Sequence, residues 1–107
     1  MNNQKPEHEA SMNFESENVL PFLKELNNKF NFGLNTEQLN EFVSSVPVEQ
    51  EKSITVEIDL NENKSVMEFR VFMDDIDTPD LYLFFESEEV SDKVSDFMME
   101  WAETQGM

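Results

Sequence analysis

The sequence predicts an α+β domain with two N-terminal helices, a three-stranded antiparallel meander and a C-terminal helix, in the order ααβββα. Two changes of period predict it. Apolar residues recur at helical spacing as far as Ser45, alternate with polar ones from Ser53, and return to helical spacing after Ser87. Strands grouped between helices, rather than alternating with them, favour helices packed on an antiparallel sheet. The 107 residues suffice for one domain, read as residues 14–107. Residues 1–13 are polar and aperiodic and read as a flexible arm.

Each element has its own signals. Val19, Phe22, Leu23, Leu26 and Phe30 form one apolar stripe, which predicts a helix over 19–30. Asn18 is its expected N-cap, Pro21 falls in its first turn, and Gly33 supplies the turn that ends it. Leu39, Phe42, Val43 and Val46 mark a second helix over 36–45, capped by Asn35 or Thr36 and stopped by Pro47. Ile54, Val56, Ile58 and Leu60 alternate with polar residues in a half-buried strand over 53–60, and Asn61-Glu62-Asn63 reads as a hairpin turn. The strand over 66–73 sets Met67, Phe69, Val71 and Met73 against Val66, Glu68, Arg70 and Phe72. After the polar turn 74–80, the strand over 81–86 sets Leu81, Leu83 and Phe85 against Tyr82 and Phe84. Ser87 caps the last helix, whose buried stripe is Val90, Val94, Phe97, Met98 and Trp101.

Composition narrows the function classes. The net charge is −17, from 24 acidic against 7 basic residues, well beyond the roughly 2–8 that solubility asks of a small domain. Residues 49–107 hold 17 of the acids and only 4 of the bases. Such a surface repels phosphate and anionic lipid, so the expected partner is a basic protein, with no direct contact to nucleic acid or membrane. Ten Phe, one Trp and seven Met give the chain the means to build a core. The absence of cysteine removes disulfides, thiolate metal sites and a cysteine nucleophile, and fits a cytoplasmic setting. No apolar run is long enough to span a bilayer, and the N-terminus has no apolar signal region.

Two surfaces are candidate partner-binding sites. On the last helix Glu88, Asp92, Asp96 and Glu100 follow one another at i, i+4 steps, flanked by Glu89 and Glu103. Like charges at that spacing each cost about 0.2–0.5 kcal/mol, and Glu100 and Glu103 oppose the helix dipole. Steps of about 6 Å along the axis broadly match neighbouring phosphates of one nucleic-acid strand. The bland reading is a solvated helix face. The second surface is the sheet face carrying Glu57, Asp59, Glu68 and Glu86 around Phe72, Tyr82 and Phe84, where aromatics ringed by carboxylates resemble an interface core with a polar rim. Small antiparallel sheets often bury most of their aromatics, so the first two helices are expected to cover this face. Arg70 is expected to pair across the strands with Glu57 or Asp59.

Catalysis and metal binding find little support. His8 is the only histidine and falls in the expected arm, whereas a general base must be held within reach of its substrate. The only glycines are Gly33 and Gly106, so there is no phosphate loop. Asp74, Asp75, Asp77 and Asp80 lack the glycine and the terminal glutamate of an EF-hand loop. No cofactor, metal or catalytic residue is therefore expected.

In size, charge and carboxylate rows the chain is similar to small acidic proteins that imitate nucleic acid or block nucleic-acid-binding proteins. It more loosely resembles acidic secretion chaperones of mixed α/β structure. The expected function is a non-enzymatic module, monomeric or homodimeric, that inhibits or modulates a basic, nucleic-acid-binding partner. As a DNA mimic in this sense, a nuclease immunity protein, an anti-defence protein and a regulator of a chromatin-like protein all fit that mechanism. The alternative is an acidic chaperone or adaptor holding an apolar client segment.

Overall fold

The computed structural model describes residues 6–60 and 63–105. Its sheet has four strands, not the three that periodicity indicates. The extra strand, β1 (His8–Asn13), lies within the segment expected to be an arm, of which residues 1–5 fall outside the described residues. Helices α1 (Ser16–Phe30) and α2 (Thr36–Ser45) follow, then β2 (Glu51–Leu60), β3 (Asn63–Phe72), β4 (Asp80–Phe85) and α3 (Glu88–Gln105). The antiparallel sheet runs β1-β4-β3-β2, so β1 returns to pair with β4, and β1 and β2 are its edges.

The strand β1 is a product of tertiary pairing. Its sequence HEASMN alternates weakly, since Ala10 is small, but pairing with β4 sets Ala10 opposite Leu83 and Met12 opposite Leu81. Ala10 is 1% exposed beneath α3, which packs across β1 and β4. Pairing gives both strands a use for backbone groups that would otherwise need water.

All three helices lie on one face of the sheet. Met67, Phe69, Val71, Leu81, Leu83 and Phe85 are buried there. Phe42 of α2 meets Phe69 at 6.1 Å and Phe32 meets Phe85 at 5.8 Å, between ring centroids. Phe22 of α1 packs against Phe14, Phe97 and Trp101. The expectation that the first two helices cover Phe72, Tyr82 and Phe84 is therefore overturned. The inner face and the aromatic stripes of the helices satisfy one another, and among the described residues no element lies over the outer face.

Helix boundaries follow backbone partners. The first helix starts at Ser16, whose N–H donates to the Asp77 carbonyl at 2.8 Å, so Pro21 sits inside the helix and not in its first turn. Its left-handed C-cap is Asn31 (φ 56°), and Gly33 (φ 75°) shapes the loop beyond. The second helix matches its expected span, with Asn35 Oδ1 accepting from the Gln38 N–H at 3.1 Å. Ser87 caps α3 through the Val90 N–H at 3.3 Å. In the β2–β3 hairpin Leu60 pairs with Asn63; Asn61 and Glu62 of the expected turn lie outside the described residues.

The loop between α1 and α2 is clamped to the end of β2. The Asp59 N–H donates to the Phe32 carbonyl at 2.8 Å. A Cβ on Gly33 would sit 2.7 Å from Asp59 Oδ2. A left-handed backbone costs an L-residue about 1–2 kcal/mol, before any steric conflict. The substitution Gly33→Ala is thus expected to lower stability by at least that amount, read as an earlier midpoint in a thermal melt.

Candidate functional site

The outer face is assembled from alternate residues of all four strands. Cross-strand register builds three rows: Glu9–Phe84–Glu68–Thr55, Ser11–Tyr82–Arg70–Ser53 and Asn13–Asp80–Phe72–Glu51. The rows put Tyr82 near the centre, with Phe84 and Phe72 in the rows on either side. Tyr82 and Phe84 stack at 6.4 Å with an interplanar angle of 14°. Arg70 lies over Phe84, its Cζ 4.7 Å from the ring centroid, a cation–π contact. All three aromatics are half-buried.

Arg70 takes its partner from its own strand. Its Nη2 donates to Glu68 Oε2 at 2.6 Å and its Nε to the same oxygen at 3.0 Å, while Glu51 Oε2 lies 4.0 Å from Nε. Glu57 and Asp59, its expected partners, pair with Val66 and Lys64 further along the hairpin. Asp59 meets Lys64 at 2.5 Å. Two predicted site residues, Glu68 and Asp59, are therefore engaged in ion pairs. Glu57 is exposed, with no ion pair among the described residues.

Glu86 is engaged as well. Its carboxylate accepts from the Ser65 hydroxyl at 2.5 Å and the Val66 N–H at 3.0 Å, closing the β3–β4 ladder where β4 ends. These hydrogen bonds hold its carboxyl below the usual carboxylate range.

Three carboxylates that the sequence pattern did not single out for this face complete the site. Glu9 lay in the expected arm, Glu51 two residues before the expected start of its strand, and Asp80 in the expected turn. Parity offered the signal for the last two. Glu51 continues the Ser53, Thr55, Glu57 series, and Asp80 continues Tyr82 and Phe84. Their effect shows on Tyr82, whose phenol is pushed above its ordinary value by burial first and then by the charges of Asp80, Glu9 and Glu51, against the opposing charge of Arg70. Tyr82 is the only tyrosine, so the phenolate absorbance band reports it alone. Changing Glu9 and Glu51 to Gln is expected to bring its titration midpoint down, since two charges that disfavour phenolate are gone. An unmoved midpoint would place both carboxylates out of range.

The other predicted acids lie elsewhere. Glu89, Asp92, Asp96, Glu100 and Glu103 are all exposed on α3, on the side turned from the sheet, so no flat partner reaches them together with the outer face. Two lysines interrupt that row. Lys93 meets Glu89 at 3.5 Å, and with Lys29 of α1 it borders a groove running past Phe30, Phe97, Asp96 and Glu100.

His8 stands in β1 opposite Phe85, not in a free arm. Asp75 and Asp80 are held by hydrogen bonds, Asp75 Oδ1 accepting from the Asp77 N–H within the turn at 2.9 Å and Asp80 Oδ1 from Asn13 Nδ2 across the β1–β4 pair at 2.7 Å. Among the described residues no three His, Cys, Asp or Glu side chains converge as metal ligands would, and no helix is long and apolar enough to cross a membrane. No protein-family model matches the chain, and neither a curated protein nor a solved structure matches it significantly.

Proposed function

We propose that this chain is a non-catalytic binding module that docks a basic protein on the outer face of its sheet. The observation that supports it is the half-buried aromatic trio Phe72, Tyr82 and Phe84, with no element above it among the described residues and bordered by Glu9, Glu51, Glu57 and Asp80. Aromatics at the centre with charge at the rim is the anatomy of an interface whose energy sits in a few contacts. The surrounding carboxylates speed encounter with a basic surface and reject acidic ones. The partner best matched to this chemistry is a nucleic-acid-binding protein, whose phosphate-binding surface the acidic face occupies. Inhibition by competition is then the mechanism, as for an immunity or anti-defence protein.

The uncovered aromatics also favour a second reading, an acidic chaperone or adaptor whose charge keeps an apolar client soluble. Salt and DNA separate the two. A partner captured from host lysate at low salt is expected to be released by excess duplex DNA and by a salt step, because screening weakens exposed charge pairs. Retention through both eluents would replace the inhibitor with the chaperone. In either reading Tyr82→Ala is expected to weaken capture, and unchanged capture would mean that the outer face is not the docking site.

A further inference from the structure

We infer that the open edge of β2 receives an extended basic segment of the partner as a fifth strand. The inference rests on the reading of the chain as a module for a basic protein, and it assigns the partner's backbone a place. The Met73 N–H donates to the Gln50 carbonyl at 3.0 Å, which fixes the phase of the ladder. Even-numbered residues of β2 bond to β3, and odd-numbered ones turn their N–H and C=O groups outward. The Asp59 N–H confirms the phase by reaching away from β3 to Phe32. Glu51, Ser53, Thr55 and Glu57 therefore offer their backbone groups along an edge that no other described strand covers. The stretch is about 20 Å long at roughly 3.3 Å per residue. Unpaired edges of this kind recruit extended peptides.

The side chains beside this edge specify the occupant. On the outer side stand Glu51 and Glu57, both exposed, beside Ser53 and Thr55. On the helix side Ile54 and Val56 remain half-exposed although they point toward the core. Next to Val56 a concavity of about 190 Å³ opens toward Leu34 and Leu39. An added strand would thus set alternate residues against carboxylates and against a hollow whose apolar part is Leu34, Leu39 and Val56 and whose polar part is Asn35, Gln38 and Glu57. Lysine or arginine alternating with small apolar residues fits both sides. A second copy of this chain does not. Laid antiparallel with Thr55 on the twofold axis, it would set Glu51 opposite Asp59, and like charges directly opposite are destabilising. The other edge, β1, is only six residues long and carries α3 packed across it.

The test titrates the isotope-labelled full chain with an acetylated heptapeptide of alternating lysine and valine, read by amide hydrogen exchange. A fully N-methylated peptide of the same sequence keeps every side chain and charge but cannot pair. The unmodified peptide is expected to slow exchange at Ser53, Thr55 and Glu57 at least tenfold, and the methylated one to bind at least tenfold more weakly without slowing it. The variant Thr55→Pro removes one outward N–H while sparing the ladder to β3, a substitution that edges tolerate. It is expected to lose tenfold or more in affinity for the unmodified peptide. Should it fail to fold, the exchange data on the unaltered chain decide. Slowing absent, with shifts confined to residues around Tyr82, would overturn the fifth strand and leave the outer face as the docking site. Equal binding of both peptides would do the same. Absence of any response would overturn the edge proposal, while the outer-face reading keeps its own test in capture by Tyr82→Ala.

Discussion

Deleting residues 1–13 is expected to remove most of the stability of this protein. The deletion takes away β1, which pairs with β4 in six-residue register and closes the inner face beneath α3 with Ala10 and Met12. Each lost ladder hydrogen bond costs about 0.5–1.5 kcal/mol net, and the buried Met12 side chain contributes roughly 1–2 kcal/mol for partial burial. At about one ladder bond per residue over the six residues of β1, the total is about 4–11 kcal/mol, against the roughly 5–15 kcal/mol typical of whole domains. Urea unfolding followed by circular dichroism should show a transition shifted to much lower urea, or none. Ala10→Glu is expected to act similarly, because it forces a charge into a site that is 1% exposed. A truncated chain with an unchanged midpoint would mean that the segment is the arm its composition suggests.

The second large effect concerns binding. Changing Glu9, Glu51 and Glu57 together to Lys is expected to weaken the basic partner at least a hundredfold, while the matched triple Asp92, Asp96 and Glu100 to Lys on α3 is expected to change it less than tenfold. Both variants shift the net charge equally, so long-range attraction falls by a similar amount in each. The difference between them reads local contact alone. All six residues are exposed, and none lies in the core, so both variants should fold with near-native melting. Equal losses would mean that the charge acts only as a field. A larger loss in the helix variant would move the site to α3 and favour imitation of a phosphate row.

Much of this architecture was legible in the sequence. The switch from helical to alternating period separated the helices from the strands, and Asn35 and Ser87 announced caps that the backbone uses. What stayed hidden depended on tertiary pairing. The segment HEASMN carries one fully buried small residue, so its alternation is too faint to mark a strand; the free edge of β4 makes it one. Pro21 suggested a later helix start, but the Asp77 carbonyl draws Ser16 into the first turn. Sheet parity gave the two faces correctly, yet nothing in Phe72, Tyr82 or Phe84 told which face the helices would choose. The inner face wins because its Met, Val, Leu and Phe residues form a continuous apolar layer, whereas the outer one interleaves aromatics with Glu68, Arg70 and Asp80. The site was legible in part for the same reason. Tyr82 and its aromatic neighbours were found by parity, while Glu9 could be placed only by a strand that the sequence does not announce.

The most direct test of docking on the outer face is zero-length carboxylate–lysine cross-linking of the complex with its captured partner, followed by mass-spectrometric mapping. Cross-links are expected from Glu9, Glu51, Glu57 and Asp80 to the partner's lysines, with those from Asp92, Asp96 and Glu100 at background. Cross-links concentrated on the three α3 residues, with the outer face silent, would contradict docking there.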